Sequence, residues 1–273
     1  MRNVLAEYVT HDVFWKRLIM VNVVFVGRPG ADDGEWVLVD AGLKFSANAI
    51  ERAARERLAY HGRPACIVMT HGHFDHVGAL QELAERWDVP VYAHEKELPY
   101  LTGSAAYLPP DPSVGGGMMS AVSPLYPNGA IDLGERAQPL PEDGTVPGLA
   151  GWRWVATPGH TPGHISLFRE EDRTLIAGDA FTTVKQESAL HVITQHKSIH
   201  GPPMYFTPDW KSAKASVQAL RELRPAAAVT GHGLPIFGGE LEHHLEVLSD
   251  RFEQVALPEH GKYADAYRER QLK

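Results

Sequence analysis

Residues 70–76 read Thr-His-Gly-His-Phe-Asp-His, so His71, His73, Asp75 and His76 crowd into six consecutive positions. The apolar run Cys66-Ile67-Val68-Met69 precedes them. Val77, Leu80, Leu83, Ala84 and Trp87 follow at a spacing that shares one helix face. The pattern predicts a strand, a tight polar loop and a helix, with ligand-type side chains gathered at the loop. Imidazoles and carboxylates are the usual ligands of zinc and similar divalent ions. A polar loop that merely contains histidines is the competing reading, and the rest of the chain decides between the two.

At 273 residues, length alone does not choose between one large domain and two small ones. A 44% hydrophobic and 22% charged composition is that of a globular protein able to bury a core without disulfides. The one cysteine, Cys66, falls in a buried-strand pattern and reads as a small core residue. The first residues lack the basic start and apolar core of a secretory signal, and no apolar run reaches membrane-spanning length, so the expected location is cytoplasmic. A net charge of −8 argues against a general nucleic-acid binder, although it leaves room for a local basic pocket.

In chain order, 19–26 and 36–39 read as a hairpin that ends at Asp40-Ala41-Gly42. Asp40, at a strand end, is either a turn residue or a carboxylate that orients ligands. A helix is expected over 46–60 with Ser46 as its cap, and a strand over 89–93 closing at a non-ligand His94. Residues 97–150 are rich in proline and glycine yet carry Tyr100, Tyr107, Leu108 and Tyr126, which favours a lid or pocket wall. Regular structure is expected to return at 152–156, followed by Thr157-Pro158-Gly159-His160-Thr161-Pro162-Gly163-His164, whose turns restrain the imidazoles. Strands at 165–168 and 174–177 lead to Gly178-Asp179, and 181–210 reads as irregular, with Lys185, His191, His196 and His200. A helix at 211–223, a strand at 226–229 ending at Gly231-His232, a helix at 240–255 and a charged tail from 262 to 273 complete the chain.

His71 to His76, His160, Asp179 and His232 each follow a short apolar strand. In α/β folds one end of the sheet is where sites converge. Five histidines and two aspartates exceed what one four-coordinate structural zinc uses, and suggest two metals. The ordered set His-x-His-x-Asp-His, Thr-Pro-Gly-His-Thr-Pro-Gly-His, Gly-Asp and Gly-His resembles the metallo-β-lactamase superfamily from Asp40 to His232. The resemblance implies an α/β (α+β) fold, a four-layer αββα sandwich of two mixed β-sheets flanked by helices. It would form a single domain over 1–273, with a lid insertion at about 97–150. It implies one metal on His71, His73 and His160, a second on Asp75, His76 and His232, and Asp179 bridging them. Asp40 and His164 become supporting or pocket residues.

Such a pair of metals, about 3.5–4 Å apart, activates a bridging water against a carbonyl, with Asp75 as ligand and proton relay. Zinc is the first expectation, and His/Asp sites also take iron, manganese or cobalt. Within the superfamily, Asp179 speaks against true β-lactamases, and His73 with no following flavin domain speaks against flavodiiron proteins. Ala180-Phe181-Thr182-Thr183-Val184-Lys185 lacks the Gly- and Arg-containing signature of glyoxalase II and persulfide dioxygenases. The chain is similar to lactonases at Asp179-Ala180, but Thr182 stands where they often carry a catalytic Tyr, leaving Tyr205 or a lid tyrosine to compensate. Thr182, Lys185 and Tyr205 are therefore pocket candidates. The leading expectation is a dinuclear metal-dependent hydrolase of a small ester, lactone or thioester. An iron-dependent persulfide dioxygenase-like enzyme and a noncatalytic metal-stabilised binding module are the alternatives. A small-molecule substrate is expected, with neither nucleic acid nor membrane as partner and homo-oligomerisation left open.

Overall fold

The computed structural model describes residues 6–58 and 62–271. Expectations for the first five residues, for the end of the helix at 59–60 and for 272–273 of the tail lie outside the described residues. The chain divides into two compact units, Met1–Ala106 with Gly129–Trp154, and Tyr107–Asn128 with Val155–Lys273.

The first unit carries a seven-stranded sheet in sequence order: β1 (Ala6–Tyr8), β2 (Val13–Leu18), β3 (Val21–Val26), β4 (Val37–Val39), β5 (Cys66–Val68), β6 (Val91–Ala93) and β7 (Ala137–Pro139). Its first four strands pair antiparallel, and β4 to β7 pair parallel. The expected hairpin forms in register Val24↔Val39. Its first strand starts at Val21 rather than at residue 19, because Ile19 takes a left-handed turn conformation (φ 64°) and points to solvent. β1 and β2 were not legible as strands in the sequence. Helix α1 (Ala47–Arg57) turns Ala47, Ile50, Ala53 and Ala54 inward, and Ser46 sits at its N-cap without a side-chain cap bond. The helix after the motif is two pieces, α2 (Phe74–Val77) and α3 (Leu80–Trp87). Between them Gly78 donates its N–H to the Gly42 carbonyl at 2.7 Å, and a Cβ on Gly78 would fall 2.1 Å from the Lys44 nitrogen. No other residue fits that approach. Cys66 is core as expected, and burial pushes its thiol up to about 12.

Residues 97–150 are more structured than the sequence suggested. They hold α4 (Leu98–Leu101), α5 (Met118–Ala121), β7, β8 (Thr145–Val146) and the start of β9 (Leu149–Ala156). β7 escaped notice because a three-residue strand containing Pro139 has no period to read, and parallel pairing to β6 defines it.

The second sheet is six-stranded, in the order β13-β12-β11-β10-β9-β8, with β10 (Ile165–Arg169), β11 (Thr174–Gly178), β12 (Ala227–Thr230) and β13 (Ile236–Phe237). It is also mixed, since β11 and β12 run parallel while β10–β11 and β12–β13 run antiparallel. In the second unit α6 (Ala189–Thr194) interrupts the stretch expected to be irregular. α7 (Trp210–Glu222), α8 (Gly238–Asp250), α9 (Phe252–Val255) and α10 (Lys262–Gln271) follow. Trp210, Val217, Leu220, Leu241, Leu245 and Leu248 pack with Phe168, Leu175 and Ala228 into this unit's core. Among the described residues, no helix is long and apolar enough to cross a membrane.

Candidate metal centre

In the first unit, β5 ends at Val68 and delivers His71, His73, Asp75 and His76 within the loop and α2, all buried. The turn after β4 supplies Asp40, held at φ 61°, a left-handed conformation that Asp tolerates better than most residues. Its Oδ1 accepts the Thr70 N–H at 2.8 Å, and its Oδ2 accepts the Thr70 hydroxyl at 2.8 Å. The same Oδ2 lies 2.8 Å from His76 Nδ1.

These contacts fix protons. A carboxylate only accepts, so the single hydroxyl hydrogen of Thr70 is committed to Asp40, and His71 Nδ1, 3.1 Å from Thr70 Oγ1, must be the donor. His76 Nδ1 likewise donates to Asp40. In both rings Nε2 becomes the basic nitrogen, the form in which imidazole ligates metals. Asp40 thus contacts one histidine directly and another through Thr70. Glu97, also fully buried, accepts the Gly72 N–H at 3.0 Å and pins the loop between His71 and His73.

In the second unit three loops contribute one residue each. His160 sits in the Pro-Gly loop, which is docked on α7. There Gly159 has φ 133°, and a Cβ on it would lie 2.3 Å from the Ala213 nitrogen. His160 Nδ1 is 3.2 Å from Thr207 Oγ1, whose own hydrogen goes to the Pro203 carbonyl at 2.7 Å. The same reasoning makes Nδ1 the donor and Nε2 the basic nitrogen. His160 Nε2 and His232 Nε2 converge on one oxygen, Asp179 Oδ2, at 3.5 and 3.1 Å.

His164 has a different task. Its Nε2 accepts the Asp179 N–H at 2.8 Å, so its Nδ1 carries a proton and meets Thr157 Oγ1 at 2.8 Å. Thr157 passes its hydrogen to Ser166 (3.0 Å), and Ser166 donates to the Ala177 carbonyl (3.0 Å). Both His164 nitrogens are engaged in holding the Asp179 loop.

Among the remaining candidates, Thr182 donates to the Val184 carbonyl at 3.0 Å and exchanges backbone bonds with His200, so its hydroxyl is committed to the loop. Tyr205 is buried against Phe206 and Tyr126, with ring centroids 5.0 and 6.0 Å away. Lys185 is half-buried in the same unit. His94, which follows β6, accepts the Lys96 N–H at 3.1 Å. The residues that sequence reasoning missed are Thr70, Thr207 and Glu97. Thr70 adjoins the motif and was legible in principle, whereas Thr207 and Glu97 carry no local signal.

The donor set fits divalent metal. It consists of buried imidazole nitrogens and carboxylate oxygens, with three of the rings locked in the ligating tautomer by hydrogen bonds to their other nitrogen.

A family model described as the metallo-beta-lactamase superfamily matches residues 17–232, and the chain belongs to that superfamily. The chain is 46% identical over 236 residues to a probable metallo-hydrolase, YflN, of Bacillus subtilis (strain 168), spanning 86% of this chain and 89% of the relative. Its fold is similar to that of BJP-1, a subclass B3 metallo-beta-lactamase of Bradyrhizobium japonicum (TM-score 0.61, 17% identity, 99% of this chain and 97% of that one). It is also similar to TTHA1623, solved in a di-iron-bound form (TM-score 0.52, 24% identity, 84% and 96%). The two mixed sheets flanked by helices are the metallo-β-lactamase fold that the sequence resemblance implied.

Proposed function

We propose that this protein is a dinuclear metal-dependent hydrolase of a small ester, lactone or thioester. The observation that carries the reading is the convergence of His160 and His232 Nε2 on the single oxygen Asp179 Oδ2, the geometry of a carboxylate shared between two ligand sets. Further support comes from the chemistry of the donors, which in both units are buried imidazole nitrogens and carboxylate oxygens. In this reading His71, His73 and His160 would hold one divalent ion, Asp75, His76 and His232 would hold the other, and Asp179 would join the two sets. Zinc is the first candidate, and the di-iron form of TTHA1623 keeps iron among the candidates.

When bound, such a metal pair acidifies water and polarises a carbonyl oxygen. The chain's own residues do the rest. Asp40 and the Thr70 and Thr207 hydroxyls hold protons on Nδ1 of His76, His71 and His160, and so keep each Nε2 basic and aimed. His164 fixes the backbone at Asp179. Burial of the polar cluster excludes bulk water from it. Asp75 takes up, at a carboxylate oxygen, a proton released when the carbonyl is attacked. No serine or cysteine nucleophile is needed, and the buried Cys66 thiol is too weak an acid to serve as one.

The test is a panel of lactones, thioesters and simple esters offered to protein whose metal content has been measured by elemental analysis. Turnover of at least one class is expected. A protein with two metals bound that hydrolyses no member would overturn the reading, and oxygen uptake with a persulfide would replace it with the redox alternative.

A further inference from the structure

The second unit has a cleft at the end of its sheet opposite to the residues of the candidate centre. β11 and β12 run parallel, with Thr174 beside Ala227 at their starts, and Asp179 and His232 follow their ends. The five residues of β11, at about 3.3 Å each, put about 16 Å between the two ends. Around the starts, the turn before β11, the end of α7 and the first half of α8 line a cleft of about 580 Å³. The Ala226 N–H donates to the Arg173 carbonyl and the Gly238 N–H to the Ala226 carbonyl, both at 2.8 Å, which ties these segments together.

Charges of both signs go unmet in this cleft. Arg173, Arg221 and Arg224 all line it. Arg221 is engaged, with Asp250 Oδ1 at 3.1 Å and Glu246 Oε1 at 3.4 Å. Arg173 and Arg224 make no ion pair among the described residues, and both are exposed. Glu222 and Glu242 line the same cleft and are likewise without an ion pair among the described residues.

The backbone adds to the positive side. Gly238 and Gly239 open α8 into the cleft, after Phe237, which makes no side-chain cap bond. The Gly239 and Glu240 N–H groups have no intrahelical partner, and the positive pole of a 13-residue helix shares the cleft with two guanidiniums. The acidic side chain of that first turn, Glu240, is turned to Lys197 Nζ at 2.6 Å. Cations gathered at a positive helix end repel one another until an anion joins them.

We infer that this cleft is a binding site for a sugar phosphate. Guanidinium forks and helix-terminal N–H groups are the donors that recognise phosphate oxygens. Two lasting positive charges and a helix pole suit a dianion better than a carboxylate. Glu222 and Glu242 offer acceptors to the hydroxyl groups of the body that carries the phosphate. The volume falls in the range of about 300–1,000 Å³ usual for small-molecule sites. Among the described residues no aromatic ring lines the cleft, so a nucleotide base would have nothing to stack on. None of the lining residues belongs to the candidate centre, and the inference stands apart from the hydrolase reading.

The test follows the backbone amide resonances of Gly238 and Gly239 in metal-loaded protein. Glucose 6-phosphate, inorganic phosphate, gluconate and glucose are titrated in turn. Glucose 6-phosphate is expected to shift both amides saturably and to bind more tightly than the other three. Arg173→Gln and Arg224→Gln should each weaken it by about tenfold, the size expected for one charge-assisted hydrogen bond. Glu242→Gln should weaken glucose 6-phosphate and strengthen inorganic phosphate, a split that partial unfolding would not produce. Absence of a saturable shift with glucose 6-phosphate, or shifts that both arginine variants keep, would overturn the site. Inorganic phosphate or gluconate binding as tightly as glucose 6-phosphate would overturn the assignment to a sugar phosphate.

Discussion

The two units solve one problem with the same device ended differently. Each presents a histidine whose Nδ1–H donates to a threonine hydroxyl, and each hydroxyl passes its own hydrogen onward. In the first unit the relay from His71 through Thr70 ends on the buried carboxylate of Asp40, which also accepts the His76 Nδ1–H. In the second the relay from His160 through Thr207 ends on the neutral Pro203 carbonyl, and the negative charge is carried by Asp179 itself. A charged terminus binds more strongly than a neutral one and couples the rings that share it. The first unit's histidines are therefore organised from behind by Asp40, which is not among the proposed ligands. The second unit's are organised by Asp179, a proposed ligand that His164 fixes through its backbone.

The comparison breaks most visibly at Asp179. Asp179→Ala is expected to lower hydrolysis by more than about a hundredfold, beyond the loss that a supporting residue causes. Elemental analysis should find fewer than two metals per chain, and retention of both would remove Asp179 from the bridging role proposed for it.

Asp40→Asn probes the other anchor. The amide keeps the size and can still accept the Thr70 N–H, but the charge that two rings share is gone. Metal affinity, read by competition with a chromophoric chelator, should weaken by about 10–100-fold. An unchanged affinity would mean that the histidine tautomers are set elsewhere.

The smallest effects sharpen the contrast most. Thr70→Val and Thr207→Val each delete one relay at nearly constant volume. Each should weaken metal binding by about tenfold or less, with the larger loss at Thr70, where the onward bond ends on a charge. The cobalt(II)-substituted proteins should show the same order in their visible spectra. Equal losses, or a larger one at Thr207, would erase the distinction between the two halves.

The candidate ligands were legible because metal-binding side chains are a restricted chemical alphabet, and here they stand after strands. The motif from His71 to His76, the Pro-Gly loop around His160, and Asp179 and His232 all stood out by residue type and by the apolar runs before them. Asp40 and His164 were read as supporting positions, but their partners, Thr70 and His76 for the one and the Asp179 N–H for the other, were not visible. The relay partners were hidden for a different reason. Thr207 lies 47 residues from His160, and Glu97 lies 25 from Gly72. A lone threonine or glutamate in an aperiodic stretch carries no signal until the backbone places it. β7 was missed likewise, since its strand character comes from pairing with β6 rather than from any pattern of its own.

The sequence by itself determined the kind of chemistry available here, because the number and type of nitrogen and oxygen donors are written in the residues. It also determined the superfamily, through the order in which those donors come. Only the tertiary structure decided which ring nitrogen carries the proton and that His164 serves a backbone N–H. Those are matters of hydrogen-bond direction and burial, and both depend on neighbours that are distant in the chain.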